Sequence, residues 1–203
     1  MQTLFPDTEL FTSGKVHKKT FDLPDAELLL WEHLFPRQEA DAYYAQLLRE
    51  TPWKQEPFTI HGKTMPTPRL TAWYGKRRSG KPPMTLTPIL ERIRAKIEAT
   101  CQVSFTSVLL NLYRDGQDSV AWHRDKEKEF GANPIIGSVS FGETRPFDIR
   151  HVDRKELNPI RIPLEHGSFL FMAGRMQHFW EHRVPKTTKL IKPRINLTFR
   201  IVN

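Results

Sequence analysis

Two stretches in the first half of the chain repeat apolar residues at helical spacing. After Pro36, the residues Ala40, Tyr43, Tyr44, Leu47 and Leu48 fall on one face of a helix that ends before Thr51-Pro52. Pro88 opens a second helix, with Ile89, Leu90, Ile93 and Ile97 on one side and Glu91, Arg92, Arg94 and Lys96 on the other. A helix with a single apolar stripe needs a surface to cover that stripe.

The second half supplies one. Segments 104–113, 135–141, 147–151, 160–164, 168–172 and 194–202 are short and rich in β-formers, and turn pairs such as Asp115-Gly116, His166-Gly167 and Ala173-Gly174 punctuate them. Two helices followed by many short strands predict an α+β domain with a double-sheet core, for which an eight-stranded jelly roll is the natural candidate. Residues 1–25 have weak periodicity and read as a loosely held extension. With 203 residues, no internal repeat and no linker-like tract, the chain reads as a single domain over 1–203.

Composition narrows the setting. Hydrophobic content of 38% with 27% charged residues describes a soluble globular protein, with no apolar run long enough for a membrane span and no secretory leader at the start. The single cysteine, Cys101, excludes an internal disulfide and fits a reducing intracellular compartment, cytoplasmic in a bacterium and open to the nucleus in a eukaryote. A monomer is the default expectation for one small domain. Thirty-one Lys and Arg against 23 Asp and Glu give a net charge of +8. The excess gathers in 15–19, 76–81 and 186–194, and basic loops that converge on one face make a nucleic-acid footprint.

The candidate chemistry starts at Trp122-His123-Arg124-Asp125. Residues two apart on a strand share a face, so His123 and Asp125 converge if this segment is extended. With a distant His182 they make a two-histidine, one-carboxylate set, which leaves coordination positions open on a non-haem iron(II); spacing alone leaves zinc and manganese possible. His178 competes with His182, but Trp180 and Pro185 disfavour the helix that a 178/182 metal pair would need. Farther on, Arg194, Asn196, Thr198 and Arg200 share one strand face, and Asn111 and Tyr113 share a face of another. If both strands line one cavity, these groups surround a small anion, and buried guanidinium needs such a partner. Arg194 and Arg200 lie about 20 Å apart along a strand, so only side chains leaning together could hold one ligand.

Several of these motifs, in order, resemble the AlkB family of 2-oxoglutarate-dependent dioxygenases: Asn111-Leu-Tyr-Arg-Asp-Gly, Trp122-His-Arg-Asp, Ile136-Gly-Ser-Val-Ser-Phe-Gly142, His166-Gly-Ser168, His182-Arg-Val-Pro185 and Pro193-Arg-Ile-Asn-Leu-Thr-Phe-Arg200. The likeness runs over roughly residues 55 to 203 and is strongest to members that repair alkylated nucleic acid. It implies a double-stranded β-helix, iron(II) held by His123, Asp125 and His182, and 2-oxoglutarate held by Asn111, Tyr113, Arg194, Asn196 and Arg200, with O2 as second co-substrate. It further implies a nucleotide-recognition lid over 53–85. Within it, His61, Gly62 and Lys63 form a duplex-probing hairpin, Trp73 and Tyr74 border the target base, and Arg78 stacks or pairs with phosphate. Glu127 would contact a cationic alkylated base or else belong to the solvated run Lys126-Glu-Lys-Glu129. The implied activity is oxidative dealkylation of bases such as 1-methyladenine and 3-methylcytosine in DNA, with RNA as a further substrate and formaldehyde released. The same chemistry on a protein or small molecule, and a non-catalytic nucleic-acid-binding module, are the alternatives.

Overall fold

The computed structural model describes residues 17–60, 62–76 and 83–203. The chain enters as a hairpin of β1 (Lys18–Phe21) and β2 (Glu27–Trp31), then runs through helix α1 (Arg37–Glu50). A small hairpin, β3 (Pro57–Ile60) with β4 (Lys63–Pro66), precedes β5 (Leu70–Gly75) and helix α2 (Pro88–Cys101). Next come β6 (Ser107–Tyr113), β7 (Val120–His123), β8 (Ile136–Gly142), β9 (Arg145–His151), β10 (Ile160–Leu164) and β11 (Ser168–Ala173). The one-turn helix α3 (Met176–Phe179) leads into β12 (Trp180–Val184), and β13 (Arg194–Arg200) closes the fold.

A seven-stranded sheet in the order β1-β2-β11-β8-β13-β6-β5 faces a four-stranded sheet in the order β10-β9-β12-β7. This is the expected α+β jelly-roll arrangement, with α1 and α2 as its supporting helices. Alternation sorts the major sheet into two faces. Leu110, Leu112, Val139, Phe141, Ile195, Leu197 and Phe199 form one apolar cluster with Ile89, Leu90, Ile93 and Ile97 of α2 and Ala40 and Leu47 of α1. A second cluster, with Leu28, Leu30, Ile149, Ile162, Leu170 and Trp180, fills the space between the sheets.

Three expectations change. Residues 17–25 are not loose: β1 and β2 extend the major sheet, with β2 paired to β11. The run Glu27-Leu-Leu-Leu-Trp31 lacks alternation because both of its faces are covered, so a period-2 search passes over it. Leu48, expected in the α1 stripe, is exposed, because one residue beyond Leu47 the helix has turned about 100°. Finally, the described members of the first two basic clusters lie apart. Lys18 and Lys19 lie at the β1 edge of the major sheet, Lys76 follows the opposite edge strand β5, and 77–81 fall outside the described residues.

Within 53–85, the β3–β4 pair stands as its own two-stranded sheet, whereas β5 is an edge strand of the major sheet against β6. No helix among the described residues is long and apolar enough to cross a membrane. Leu28→Ala and Leu30→Ala should each lower stability by about 2–5 kcal/mol in denaturant unfolding, while Leu48→Ala stays within about 0.5 kcal/mol. Equal, small effects at all three positions would contradict the assignment of β2 to the core.

Candidate metal centre

The register of three neighbouring strands builds the floor of a cavity. On β6, β13 and β8 the rows Asn111–Asn196–Ser140 and Tyr113–Arg194–Gly142 lie side by side, and Thr198 and Arg200 continue the polar face. Phe147, His182 and Val184 of the minor sheet close the opposite wall. The cavity therefore lies between the sheets, reached by every second residue of each strand.

His123 and His182 face each other as directly paired residues of β7 and β12, with ring centroids 4.2 Å apart. One ligand atom from each of His123, Asp125 and His182 lies within 4.8 Å of the others, so the predicted set is brought together. It converges by a different route from the one expected. The strand stops at His123, and Asp125 sits on an irregular segment, anchored from two sides. Its Oδ2 accepts from Arg200 Nη2 at 2.8 Å, and its backbone N–H donates to Gln177 Oε1 at 2.9 Å. His178, the competitor, turns away and bonds the Ala132 carbonyl at 2.7 Å.

Protonation states suit a divalent cation. Burial pushes the Asp125 carboxyl up, but Arg200, His182 and His123 outweigh it and hold the group at about 2. Burial, helped by His123 and opposed by Asp125, brings His182 down to about 3. At neutral pH the site thus presents a carboxylate and a neutral buried imidazole, the forms that coordinate metal. His123 Nδ1 lies 2.9 Å from the Ala121 carbonyl, which can only accept, so Nδ1–H donates there, and Nε2 is the ring atom turned toward Asp125 Oδ1 at 3.8 Å. His182 Nδ1 is buried with no hydrogen-bond partner among the described residues.

The arginines do not share a partner. Arg200 goes to Asp125, and Arg194 donates Nη2 to Ser140 Oγ at 2.9 Å. Arg194 is fully buried, and among the described residues its Nε and Nη1 have no acceptor and no carboxylate pairs with it. Burial, opposed by Tyr113 and aided by Arg145, lowers Arg194 to about 10, which leaves it cationic at neutral pH. A buried cation with open donors is a receptor for an anion. Tyr113 packs under it, with the guanidinium 5.2 Å from the ring centre. Asn111 accepts from Arg69 Nε at 2.8 Å, and Asn196 Nδ2 donates to Ser138 Oγ at 2.8 Å, so both amides line the cavity already oriented.

Other predicted residues scatter. Tyr74 is a correction: it is buried in the helix-side core, because alternation along β5 turns it away from the face that carries Trp73. Trp73 pairs with Leu109, which lines the cavity, and its indole donates to the Lys76 carbonyl. Glu127 is half-buried two residues beyond Asp125. Gly62 forms the tip between β3 and β4 with φ of 76°, and Lys63 opens β4. His61 and Arg78 lie outside the described residues. Sequence reasoning missed Arg69, Gln177 and the serine pair Ser138/Ser140. Only the serines carried a signal, as small polar residues alternating with Val139 and Phe141.

Along β7, β12 and the loop that follows runs a groove of about 800 Å³ whose lining holds five basic residues, Arg145, Arg161, Arg183, Lys186 and Lys189, and no acidic one. Asp148 beneath it ties Arg161 to Arg183, and the Trp122 ring lies between Arg150 and Arg183 at 4.2 and 4.5 Å. Val120, Arg183 and Val184 line both groove and cavity.

Comparison with known proteins gives consistent results. The family model described as 2OG-Fe(II) oxygenase superfamily matches residues 27–200. Alpha-ketoglutarate-dependent dioxygenase alkB homolog 3 of Mus musculus is 42% identical over 178 residues, covering 81% of this chain and 62% of that protein. DNA oxidative demethylase ALKBH2 of Homo sapiens is 37% identical over 187 residues, covering 82% of this chain and 70% of that protein. The chain thus spans about 62% of the alkB homolog 3 length. A solved structure titled "The structure of OsALKBH1" superposes with a TM-score of 0.64 at 18% identity, covering 90% of this chain and 100% of that one, which speaks for the fold.

Arg200→Met should destabilise the metal-free protein by about 3–5 kcal/mol, because it leaves the Asp125 charge buried and unpaired. Adding Asp125→Asn should recover part of that loss in chelator-treated unfolding experiments. Equal stability of the single and double variants would refute the pair.

Proposed function

The chain belongs to the AlkB family within the 2OG-Fe(II) oxygenase superfamily, and from that premise we propose that it removes N-linked methyl groups from bases of alkylated DNA by iron(II)- and 2-oxoglutarate-dependent oxidation. The observation that carries this reading is the convergence of His123, Asp125 and His182 in one cavity with a buried Arg194 that has no counter-ion among the described residues.

His123, Asp125 and His182 would hold the iron; Arg194, with Tyr113 and the amides of Asn111 and Asn196, would hold 2-oxoglutarate. Bound together with O2, these groups would supply the oxidation that hydroxylates the methyl carbon, yielding succinate, carbon dioxide, formaldehyde and the unmodified base. The chain's own part is placement and exclusion of water. Arg200 holds the Asp125 carboxylate ionised and fixes one of its oxygens, leaving Oδ1 on the His123 side. Arg194 lines the cavity and keeps two buried donors without an acceptor among the described residues, which suits the carboxylate end of a small diacid. Leu109, Phe147, Met172 and Val184 supply apolar wall where the methyl group must sit. Glu127, close to Asp125 in the chain, is a candidate contact for a positively charged alkylated base.

Nucleic acid as the substrate class draws on the basic groove. Lys186 and Lys189 follow metal-bearing β12, which itself carries Arg183, and Arg161 stands on β10, so a phosphodiester backbone held by these cations would run beside the cavity. A base buried in a duplex must leave the stack to reach the cavity, at a cost of a few kcal/mol that phosphate contacts help offset. The β3–β4 hairpin, with Gly62 at its tip and Lys63 after it, we take as part of the lid over the base together with Trp73.

Incubating an oligonucleotide carrying 1-methyladenine or 3-methylcytosine with the protein, iron(II), 2-oxoglutarate and ascorbate should shift its mass to that of the unmodified strand. A matched RNA and a methylated peptide run alongside fix the substrate class. Asp125→Ala should bind DNA and lose turnover; retained demethylation in that variant defeats the ligand assignment. Lys186→Ala and Lys189→Ala should each flatten the log-log salt dependence of binding by about 0.7–0.9. Unchanged slopes would remove the groove from the interface.

A further inference from the structure

Among the three converging side chains, Asp125 alone is not held by a sheet ladder. From Arg124 to Glu127 the backbone has no regular structure, so strand pairing cannot set the direction in which the carboxylate points. Arg200 holds the carboxylate itself. The backbone amide is held by the side chain of Gln177, whose Oε1 accepts from Asp125 N–H at 2.9 Å.

Gln177 is fully buried on α3, in the turn that leads directly into β12 and His182. Its orientation is unambiguous, since a backbone N–H can only donate and the amide oxygen must face it. The amide nitrogen is left with Met172 Sδ at 3.9 Å, a weak acceptor. A buried amide with one strong bond and one thioether contact is a poor packing choice, because an apolar residue would avoid its desolvation. The strong bond is therefore what distinguishes this residue from a methionine or leucine.

We propose that Gln177 is the positioning residue for the metal-binding carboxylate. By accepting the Asp125 amide it sets the backbone that directs Oδ1 toward His123 and His182. Because Gln177 and His182 belong to one continuous α3–β12 run, the same bond fixes two of the three groups relative to each other. This inference rests on the reading of the set as an iron(II) site. Two more bonds join α3 to the segment after β7, from Arg124 Nη1 to the His178 carbonyl at 3.0 Å and between His178 Nε2 and the Ala132 carbonyl. They secure the segment without touching Asp125, and one of them serves as a control.

The test is anaerobic titration of the full chain with cobalt(II), followed by its visible absorption, together with amide hydrogen exchange at Asp125 in the metal-free protein. Gln177→Met, which keeps the shape and removes the acceptor, should weaken cobalt(II) binding by about 10–100-fold and speed exchange at Asp125. Gln177→Glu, which keeps an acceptor oxygen, should restore near-native affinity, and His178→Ala should bind as the native chain does. Native affinity in Gln177→Met overturns the proposal. So does an equal loss in His178→Ala, which would mean general loosening. If Gln177→Met does not fold, Gln177→Asn, one methylene too short to reach, is judged by the same outcomes. A native chain that takes up no cobalt(II) would instead defeat the iron reading on which this rests.

Discussion

A strand buried on both faces must satisfy two environments at once, and β13 does so by alternation. Ile195, Leu197 and Phe199 pack under the helices, while Arg194, Asn196, Thr198 and Arg200 face the second sheet. Every residue of β13 is buried, so a slip of one position would drive two guanidinium groups into the apolar cluster. That penalty pins the register of β6 and β8 on either side, and with it the rows of polar groups that floor the cavity.

The cavity is organised around a charge imbalance. Asp125 is matched by Arg200, so the carboxylate stays ionised without a metal. Among the described residues no carboxylate pairs with Arg194, which bonds a serine hydroxyl, packs on the Tyr113 ring and feels the Arg145 cation. The two arginines of one strand therefore do different work. One keeps a ligand ready for a cation, and the other keeps a place open for an anion. A serine-and-aromatic lining orients Arg194 without neutralising it, which preserves its capacity to bind a carboxylate in a dry environment.

Parts of this were legible from residue order. The α2 stripe, the strand face of 194–200 and the turn pairs at 166–167 and 173–174 show a clear period or a turn signature, and the structure has them there, with φ of 79° and 64° at Gly167 and Gly174. Segments without a period were passed over. β2 is apolar from Leu28 to Trp31, β7 shows no alternation in its burial, and β12 alternates in burial but places His182 on the buried face, where an apolar residue would have signalled a strand. Tyr74 was misplaced because a motif identifies a strand without saying which of two adjacent aromatics faces the site.

The amino-acid order alone determined which side chains could act: two imidazoles and a carboxylate as donors, and a strand with arginines on one face. Those are properties of residue type and of a two-residue period, which need no tertiary information. What only the folded chain decided is how they are held. Asp125 lies off the sheet and owes its direction to Gln177 and Arg200, and the basic groove draws Arg161, Arg183 and Lys189 from three separate segments. Such contacts join residues far apart along the chain, and no local pattern records a bond whose partner is set by how the sheets stack.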